Sequence, residues 1–287
     1  MPRPAVDYDA YVKPIPRHTS PLPPESSVPI RHYVRSANDS WNLLVYVERN
    51  LETANVYEAS LNRHMQNLRV MVLLSLVEAF ERFLKELAAA CIDHVGALVL
   101  DSRLDVFTGK GSNLAWHFTT TGSLGRVLCE SMTWCDCDEA NKRFRSILSE
   151  PYQPGNFYVF PSGTQLPAAL RDKQEVMDIV WQLRHSIAHN GGVITASDAY
   201  KLRVLSKANV VGNRRLDPTK GDVWYIKLFL DETAENINRE VGNRLAALLT
   251  TLLAGDPSLF DARQKAQDVA NLFRQAAIIA TESRNPI

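Results

Sequence analysis

Two side chains able to act together on a phosphate, Arg184 and His189, are separated by four residues near the end of one segment. A guanidinium can bind a phosphate through two parallel hydrogen bonds, and an imidazole can exchange a proton near neutral pH. Gly191 and Gly192 follow, and glycine readily adopts the left-handed conformation that ends a helix. We therefore expect His189 in or beside a last helical turn, where exposed carbonyls help imidazole to hold a proton.

The segment before the glycines has the pattern of an amphipathic helix. Apolar residues recur at helical spacing on one face, namely Val176, Ile179, Val180, Leu183 and Ile187. Polar residues form the opposite face, namely Asp178, Gln182, His185 and His189. On an ideal helix Arg184 and His189 point about 140° apart, too far to reach one phosphate from a rigid single helix. Either the last turn unwinds, or a second copy of the helix completes the site across a dimer interface.

At these residues the chain resembles the HEPN superfamily. The signature of that superfamily is an arginine, four to six further residues and a histidine, usually with a polar residue directly after the arginine. Here Arg184 is followed directly by His185, and four residues separate Arg184 from His189. The resemblance extends to a long apolar helix upstream, which carries Val-Glu-Ala-Phe-Glu-Arg-Phe-Leu at 77–84 and looks like the bacterial branch sometimes called RiboL-PSP. It covers about residues 39–192 and does not include the last third of the chain.

The resemblance implies a metal-independent endoribonuclease without a cofactor. His189 would transfer a proton, Arg184 would stabilise the negative charge that develops on the phosphorus, and His185 and Asn190 would position the pair or the substrate. RNA supplies its own nucleophile, the 2′-hydroxyl, so the expected products are a 2′,3′-cyclic phosphate and a 5′-hydroxyl. The resemblance also implies a toxin or phage-defence component that acts on RNA, with an antitoxin or another defence component as a further partner. The separation of about 140° between Arg184 and His189 separately predicts a homodimer that forms through their helix.

Other interpretations of the same residues stay open. The chain could be a non-catalytic HEPN-like module that binds RNA, a nucleotide or another protein. Arg184 could pair with Asp178 or with a helix-end carbonyl, and His185 and His189 could be a surface pair. Glu81 could pair with Lys85 four residues further on, or it could orient the Arg184 and His189 site.

The composition limits which partners and compartments are expected. Lys plus Arg and Asp plus Glu number 32 each, so the chain has no net positive charge and RNA binding requires a local patch. The longest uncharged apolar run, 70–77, is shorter than the roughly 20 residues of a membrane span, which predicts no membrane partner. Four cysteines and the absence of an apolar leader predict a cytoplasmic protein.

The metal-binding residue types do not form a recognisable zinc motif. Cys129, Cys135 and Cys137, with Asp136 and His117 nearby, include a Cys-x-Cys but no matching second pair. The spacing His185 to His189 lacks the glutamate of a metalloprotease helix. We therefore predict no metal site.

The periodicity of the chain predicts an all-α helical bundle with a small β-hairpin insertion and additional C-terminal helices, and the resemblance implies that this bundle is HEPN-like. Residues 1–37 hold eight of the fifteen prolines and are predicted to form an N-terminal arm, with 38–287 as one domain. Helices are expected at about 40–66, 68–95, 122–133 and 138–149, after a cap at Asp231, and at about 258–282.

The hairpin insertion is expected at about 204–230, because Val210–Val211 and the alternating residues Val223–Leu230 have strand patterns. Six basic residues and a single acid lie between positions 201 and 220, namely Lys201, Arg203, Lys207, Arg214, Arg215, Lys220 and Asp217. This stretch is expected to be a solvated loop, unless the hairpin folds beside His189, where it could contact an RNA backbone.

Overall fold

The computed structural model describes residues 28–52, 58–95, 103–107, 123–130, 132–149, 157–160, 168–253, 264 and 267–269. Its helices in chain order are α1 (Pro29–Glu52), α2 (Glu58–Val95), α3 (Leu124–Glu130), α4 (Cys137–Leu148), α5 (Ala168–Asn190), α6 (Ala196–Ser206) and α7 (Lys220–Leu252). A short 3-10 helix spans Asp105–Phe107, and two strands, β1 (Val193–Ile194) and β2 (Arg214–Arg215), pair in antiparallel orientation. The predicted all-α class with one small hairpin is confirmed.

Helix α2 is the centre of the bundle, and α1, α3, α4, α5 and α7 pack against it. The apolar run 70–77 in the middle of α2 helps to explain this, since a helix segment without a polar face is stable only when it is covered. Leu76, Phe80 and Leu84 are fully buried. The Phe80 ring also contacts Trp181 of α5, at 5.9 Å between ring centroids. This contact fixes the helix that carries Arg184 and His189 against the core.

Helix α3 crosses α2 at very close range through Gly125. A Cβ added at Gly125 would lie 2.1 Å from the carbonyl oxygen of Ala89, so only glycine allows this approach. Asp93 of α2 fixes the start of α3, because its carboxylate accepts hydrogen bonds from the Ser123 hydroxyl at 2.7 Å and from the Gly125 N–H at 2.8 Å. The close crossing brings the following segment, 132–136, beside α2 and α5.

The predicted boundary of the N-terminal arm is wrong, because α1 begins at Pro29 rather than near residue 40. Proline is well tolerated in the first turn of a helix, where the backbone N–H has no intrahelical acceptor, so Pro29 starts α1 instead of preventing it. Ile30, Tyr33 and Ala37 then bury the inner face of the first turns. The predicted arm from 1 to 27 lies outside the described residues.

The predicted second strand, Val223–Leu230, is also wrong, because these residues form the first turns of α7. Thr219 and Asp222 form a reciprocal capping box that starts a helix at Lys220. Buried Val223, Lys227 and Leu230 then follow a helical spacing of three and four residues. The predicted cap Asp231 consequently lies inside α7 and is buried, and the predicted final helix, 258–282, is described only at 264 and 267–269, which are helical.

The hairpin that the structure contains follows directly from the end of α5. Gly191 and Gly192 have φ angles of 59° and 82°, the left-handed conformation expected of a helix-ending pair. Strand β1 begins at Val193, and its partner β2 comes after α6, with Val193 opposite Arg215 and Ile194 opposite Arg214. The hairpin thus begins four residues after His189, and α6 lies between its strands. Within the described residues, no helix combines the length and the apolar character needed to cross a membrane.

Candidate functional site

Arg184 and His189 line the same open pocket, which has a volume of about 400 Å³. Its walls are formed by Thr133, Cys135, Asp136, Asp178, Trp181, Gln182, Arg184, His185, His189 and Lys201. Because Asp178 and His189 both line it, the pocket extends along about three turns of α5. In a cleft of this length, side chains that point in different directions from one helix can all contribute to the walls. Arg184 and His189 thus line one cleft from a single chain, and the homodimer expected from their angular separation stays a prediction.

The two histidines of the pocket lie one turn apart at the end of α5. Their ring centroids are 4.7 Å apart with the planes tilted by 49°, and both side chains are exposed. The Gly192 N–H donates to the carbonyl of Ser186 at 3.2 Å, so the helix closes immediately beyond His189. The imidazoles therefore stand at a fixed helix end and remain accessible to a ligand.

Arg184 forms an ion pair with the carboxylate of Glu81 on α2. Its Nη2 atom lies 3.6 Å from Oε2 of Glu81, its side chain is 25% exposed, and its buried Nε has no hydrogen-bond partner among the described residues. The alternative partner Asp178 instead contacts the thiol of Cys137. The guanidinium is thus anchored on one side and open to the pocket on the other.

Glu81 is a buried anion with several donors around it. Its Oε1 atom accepts from the Trp134 N–H at 3.2 Å and lies 3.2 Å from the Lys85 ammonium. Burial alone would raise the pKa of Glu81, but a hydrogen bond with Cys135, the Lys85 charge and the Trp134 N–H together lower it. The carboxylate therefore stays ionised and can orient Arg184. Glu81 therefore contacts Lys85 and Arg184 at the same time, and its role in orienting the site stays a prediction.

We predict that Glu81→Gln lowers stability near neutral pH by about 2 kcal/mol, because it replaces a charged hydrogen-bond acceptor in a buried position. The pKa of Glu81 is lower in the folded protein than its ordinary value of 4.5, so its contribution is present above that pH. The contribution disappears as the pH falls through the lowered folded-state pKa. Urea unfolding at several pH values should show the gap between wild type and variant closing in acid, and a pH-independent gap would contradict the prediction.

Asn190 holds a neighbouring helix in place and is absent from the pocket walls. Its Nδ2 atom donates to Oδ2 of Asp198 at 3.0 Å, and Gln182 donates to the other oxygen of Asp198 at 2.9 Å. Burial would raise the pKa of Asp198, but hydrogen bonds from Thr195 and Ser186 and the nearby His185 lower it. Asp198 is the third helical residue of α6 and completes its capping box with Thr195. This network fixes α6 beside the pocket.

The other end of the pocket includes the carboxyl groups of Asp136 and Asp178 and the un-ionised thiol of Cys135. Burial raises the pKa of Asp178, which a hydrogen bond with Cys137 partly opposes, and the charges of Asp136, Asp138 and Glu175 raise it further. Burial and the Glu81 carboxylate raise the pKa of Cys135 to about 12. Among the described residues, no three of the His, Cys, Asp and Glu side chains come together in a metal-binding group.

Lys201 lies outside α5, so the pattern of that helix could not reveal it as a pocket residue. It lies on α6, reaches the same pocket as Arg184 and His189, and belongs to the basic stretch that begins at that position. The only available signal was the charge of that stretch together with the nearby helix end. Trp181 was not identified as a pocket residue for a different reason. Its position at the border of the apolar face predicts core packing, and its side chain is indeed buried in the core.

The fold and site together define an all-α protein in which a short hairpin follows a helix that carries an arginine and two histidines in one pocket. No protein-family model, curated protein or solved structure matches the chain. The chemistry of the pocket and the resemblance at Arg184 and His189 are therefore the grounds for a functional proposal.

Proposed function

We propose that the protein is a metal-independent endoribonuclease of the HEPN type. The observation that carries the proposal is the presence of Arg184, His185, His189 and Lys201 on the walls of one open pocket. The pocket volume of about 400 Å³ is within the usual range for small-ligand sites and is sufficient for one nucleotide. A guanidinium, an ammonium and two imidazoles around this space are the donors that a phosphodiester requires.

In this proposal the 2′-hydroxyl of the RNA attacks the adjacent phosphorus, and His189 accepts the proton that the hydroxyl loses. The bond between phosphorus and the 5′ oxygen breaks, and a proton returned to that oxygen leaves a 5′-hydroxyl beside a 2′,3′-cyclic phosphate. Arg184 stabilises the additional negative charge of the transition state, and Glu81 keeps its guanidinium in position. His185 lies next to His189 and positions it or the substrate.

The same proposal includes RNA as the substrate, a homodimer as the active form and an antitoxin or defence-system protein as a partner. It also includes a cytoplasmic location. The second candidate function is a non-catalytic module of the same type that binds RNA or a nucleotide. The ion pair between Arg184 and Glu81 favours this second candidate, because the carboxylate partly neutralises the guanidinium. The net charge of zero also favours it.

Cleavage in the presence of EDTA distinguishes the two functions. We expect wild type to cut single-stranded RNA under these conditions and to leave 2′,3′-cyclic phosphate and 5′-hydroxyl ends, which end-specific enzymatic labelling identifies. We expect Arg184→Ala and His189→Ala to lose this activity, because each removes one of the two reacting groups. Equal residual activity in all three proteins would eliminate the nuclease and indicate a contaminant, whereas binding without cleavage by wild type would favour the module.

A further inference from the structure

The outward side of α6 exposes two large apolar residues between cations. Tyr200 and Val204 are one turn apart and are 69% and 61% exposed. Lys201 lies on the same helix, and Lys207 is its C-cap residue; both side chains are exposed. We name these four residues the α6 face. Tyr200 and Val204 thus form a small exposed apolar patch beside two lysines.

The α6 face is continuous with the pocket. Lys201 belongs to both, since it lines the pocket that contains Arg184 and His189. At the other end of α6, the Lys207 ammonium lies 3.5 Å from Glu175 of α5, so α6 runs antiparallel along the pocket helix. Asp198 secures this arrangement through the hydrogen bonds from Gln182 and Asn190. A polymer that enters the pocket at Lys201 can therefore continue over Tyr200.

Further cations lie on the segment that follows α6. Strand β2 consists of two exposed arginines, Arg214 and Arg215, and it pairs with the strand that directly follows the His189 helix. The loop before β2 lies on the start of α6, where a Cβ at Gly212 would come within 2.9 Å of the Ala196 Cα. Arg203 ties the same loop to α6 by donating to the Val210 carbonyl at 2.7 Å. The cations of this region are thus held by backbone contacts beside the active-site candidate.

We propose that the α6 face binds single-stranded RNA next to the pocket, with Tyr200 stacking on one base and Lys201 and Lys207 binding phosphates. The inference rests on the proposed function for the choice of RNA. Stacking on an exposed ring requires an unpaired base, so a duplex does not fit this surface. Charge complementarity and continuity with the pocket favour RNA over a partner protein on Tyr200 and Val204.

Binding of a fluorescent, 2′-O-methylated single strand of about 12 nucleotides to the full chain tests the inference, since this RNA lacks the hydroxyl needed for cleavage. We expect Tyr200→Ala to weaken binding roughly tenfold, because an aromatic ring contributes on that scale to each stacked base. We expect Tyr200→Phe to bind like wild type. Tyr46→Ala is the matched control, since Tyr46 is 68% exposed on α1, which packs on α2 and α7.

The salt dependence tests the lysine contact separately. Lys207→Gln should reduce the slope of log affinity against log salt by about 0.7, the value for one phosphate contact with a single strand. Arg49→Gln, at an exposed cation of α1, should leave the slope unchanged. Tyr200→Ala should lower affinity at every salt concentration and leave the slope unchanged.

An unchanged affinity in Tyr200→Ala, or equal binding of a duplex, overturns the inference, and α6 then becomes a candidate protein interface. Absence of any binding by wild type also overturns it. These outcomes are independent of the nuclease proposal, which fails when unmodified RNA remains uncut. Cleavage of unmodified RNA with no effect of Tyr200→Ala on binding would retain the nuclease and reject the α6 face.

Discussion

His189→Ala is expected to lower the rate of RNA cleavage by about 10²- to 10⁴-fold, the usual contribution of one general acid or base. The reason is that the variant removes the imidazole which takes the proton from the attacking hydroxyl. Because the His189 side chain is exposed at the end of α5, its removal opens no cavity in the core. Initial rates in EDTA, measured at substrate concentrations above and below KM, give the loss in kcat and in kcat/KM.

One control variant, together with unfolding measurements, separates catalysis from folding. His64→Ala replaces another exposed histidine, located on α2 and absent from the pocket walls, and should keep the wild-type rate. All three proteins should unfold at similar urea concentrations. Wild-type cleavage by folded His189→Ala would exclude His189 as the proton-transfer group, while an equal loss in His64→Ala would point to a general effect on folding.

The pair Arg184 and His189 was accessible from the sequence because both residues lie on one helix. Their spacing, the polar stripe of that helix and the glycines after it are all local, and local patterns determine where a helix ends and which side it buries. The same holds for His185, which the structure places in the same pocket. Their chemical roles are not contained in those patterns and remain predictions.

The contacts that support the pair could not be derived from local patterns. Glu81 precedes Arg184 by about a hundred residues, and its role depends on how closely α2 and α5 approach. Its intrahelical pairing with Lys85 explains the same carboxylate equally well. Lys201 reaches the pocket because α6 packs against α5, and the hydrogen bonds from Gln182 and Asn190 to Asp198 contribute to that packing. These are long-range consequences of packing, and the periodicity of one segment carries no information about them.

The error at α7 has a different cause. Residues Val223–Leu230 are rich in β-branched and aromatic side chains, whose strand preference is weak and depends on context. The capping box formed by Thr219 and Asp222 gives the opposite signal, and it supplies acceptors for the free N–H groups at the helix start. Burial of Val223 and Leu230 against the bundle then stabilises the helix. A cap of this kind was a better guide here than side-chain type.

The same region contains a buried charge cluster that joins α7 to α1. The Lys227 ammonium lies 2.6 Å from Oδ2 of Asp231, and the Tyr33 hydroxyl donates to the other oxygen of that carboxylate at 2.9 Å. The relative exposure of Lys227 is 3% and that of Asp231 is 5%. Two opposite charges at this depth stabilise the fold only as a pair, because each alone would be desolvated without a counterion.

Lys227→Met is therefore expected to destabilise the protein by about 3–5 kcal/mol, since it leaves the Asp231 carboxylate buried with only the Tyr33 hydroxyl. The double variant Lys227→Met/Asp231→Leu should recover most of this loss, because it removes both charges and fills the same space with apolar atoms. Urea unfolding of wild type, the single variant and the double variant measures the three free energies. Lys142→Met, at an exposed lysine of α4, controls for the loss of a cation and should change stability little. A double variant as unstable as Lys227→Met would show that packing at these positions, rather than an unpaired charge, causes the loss.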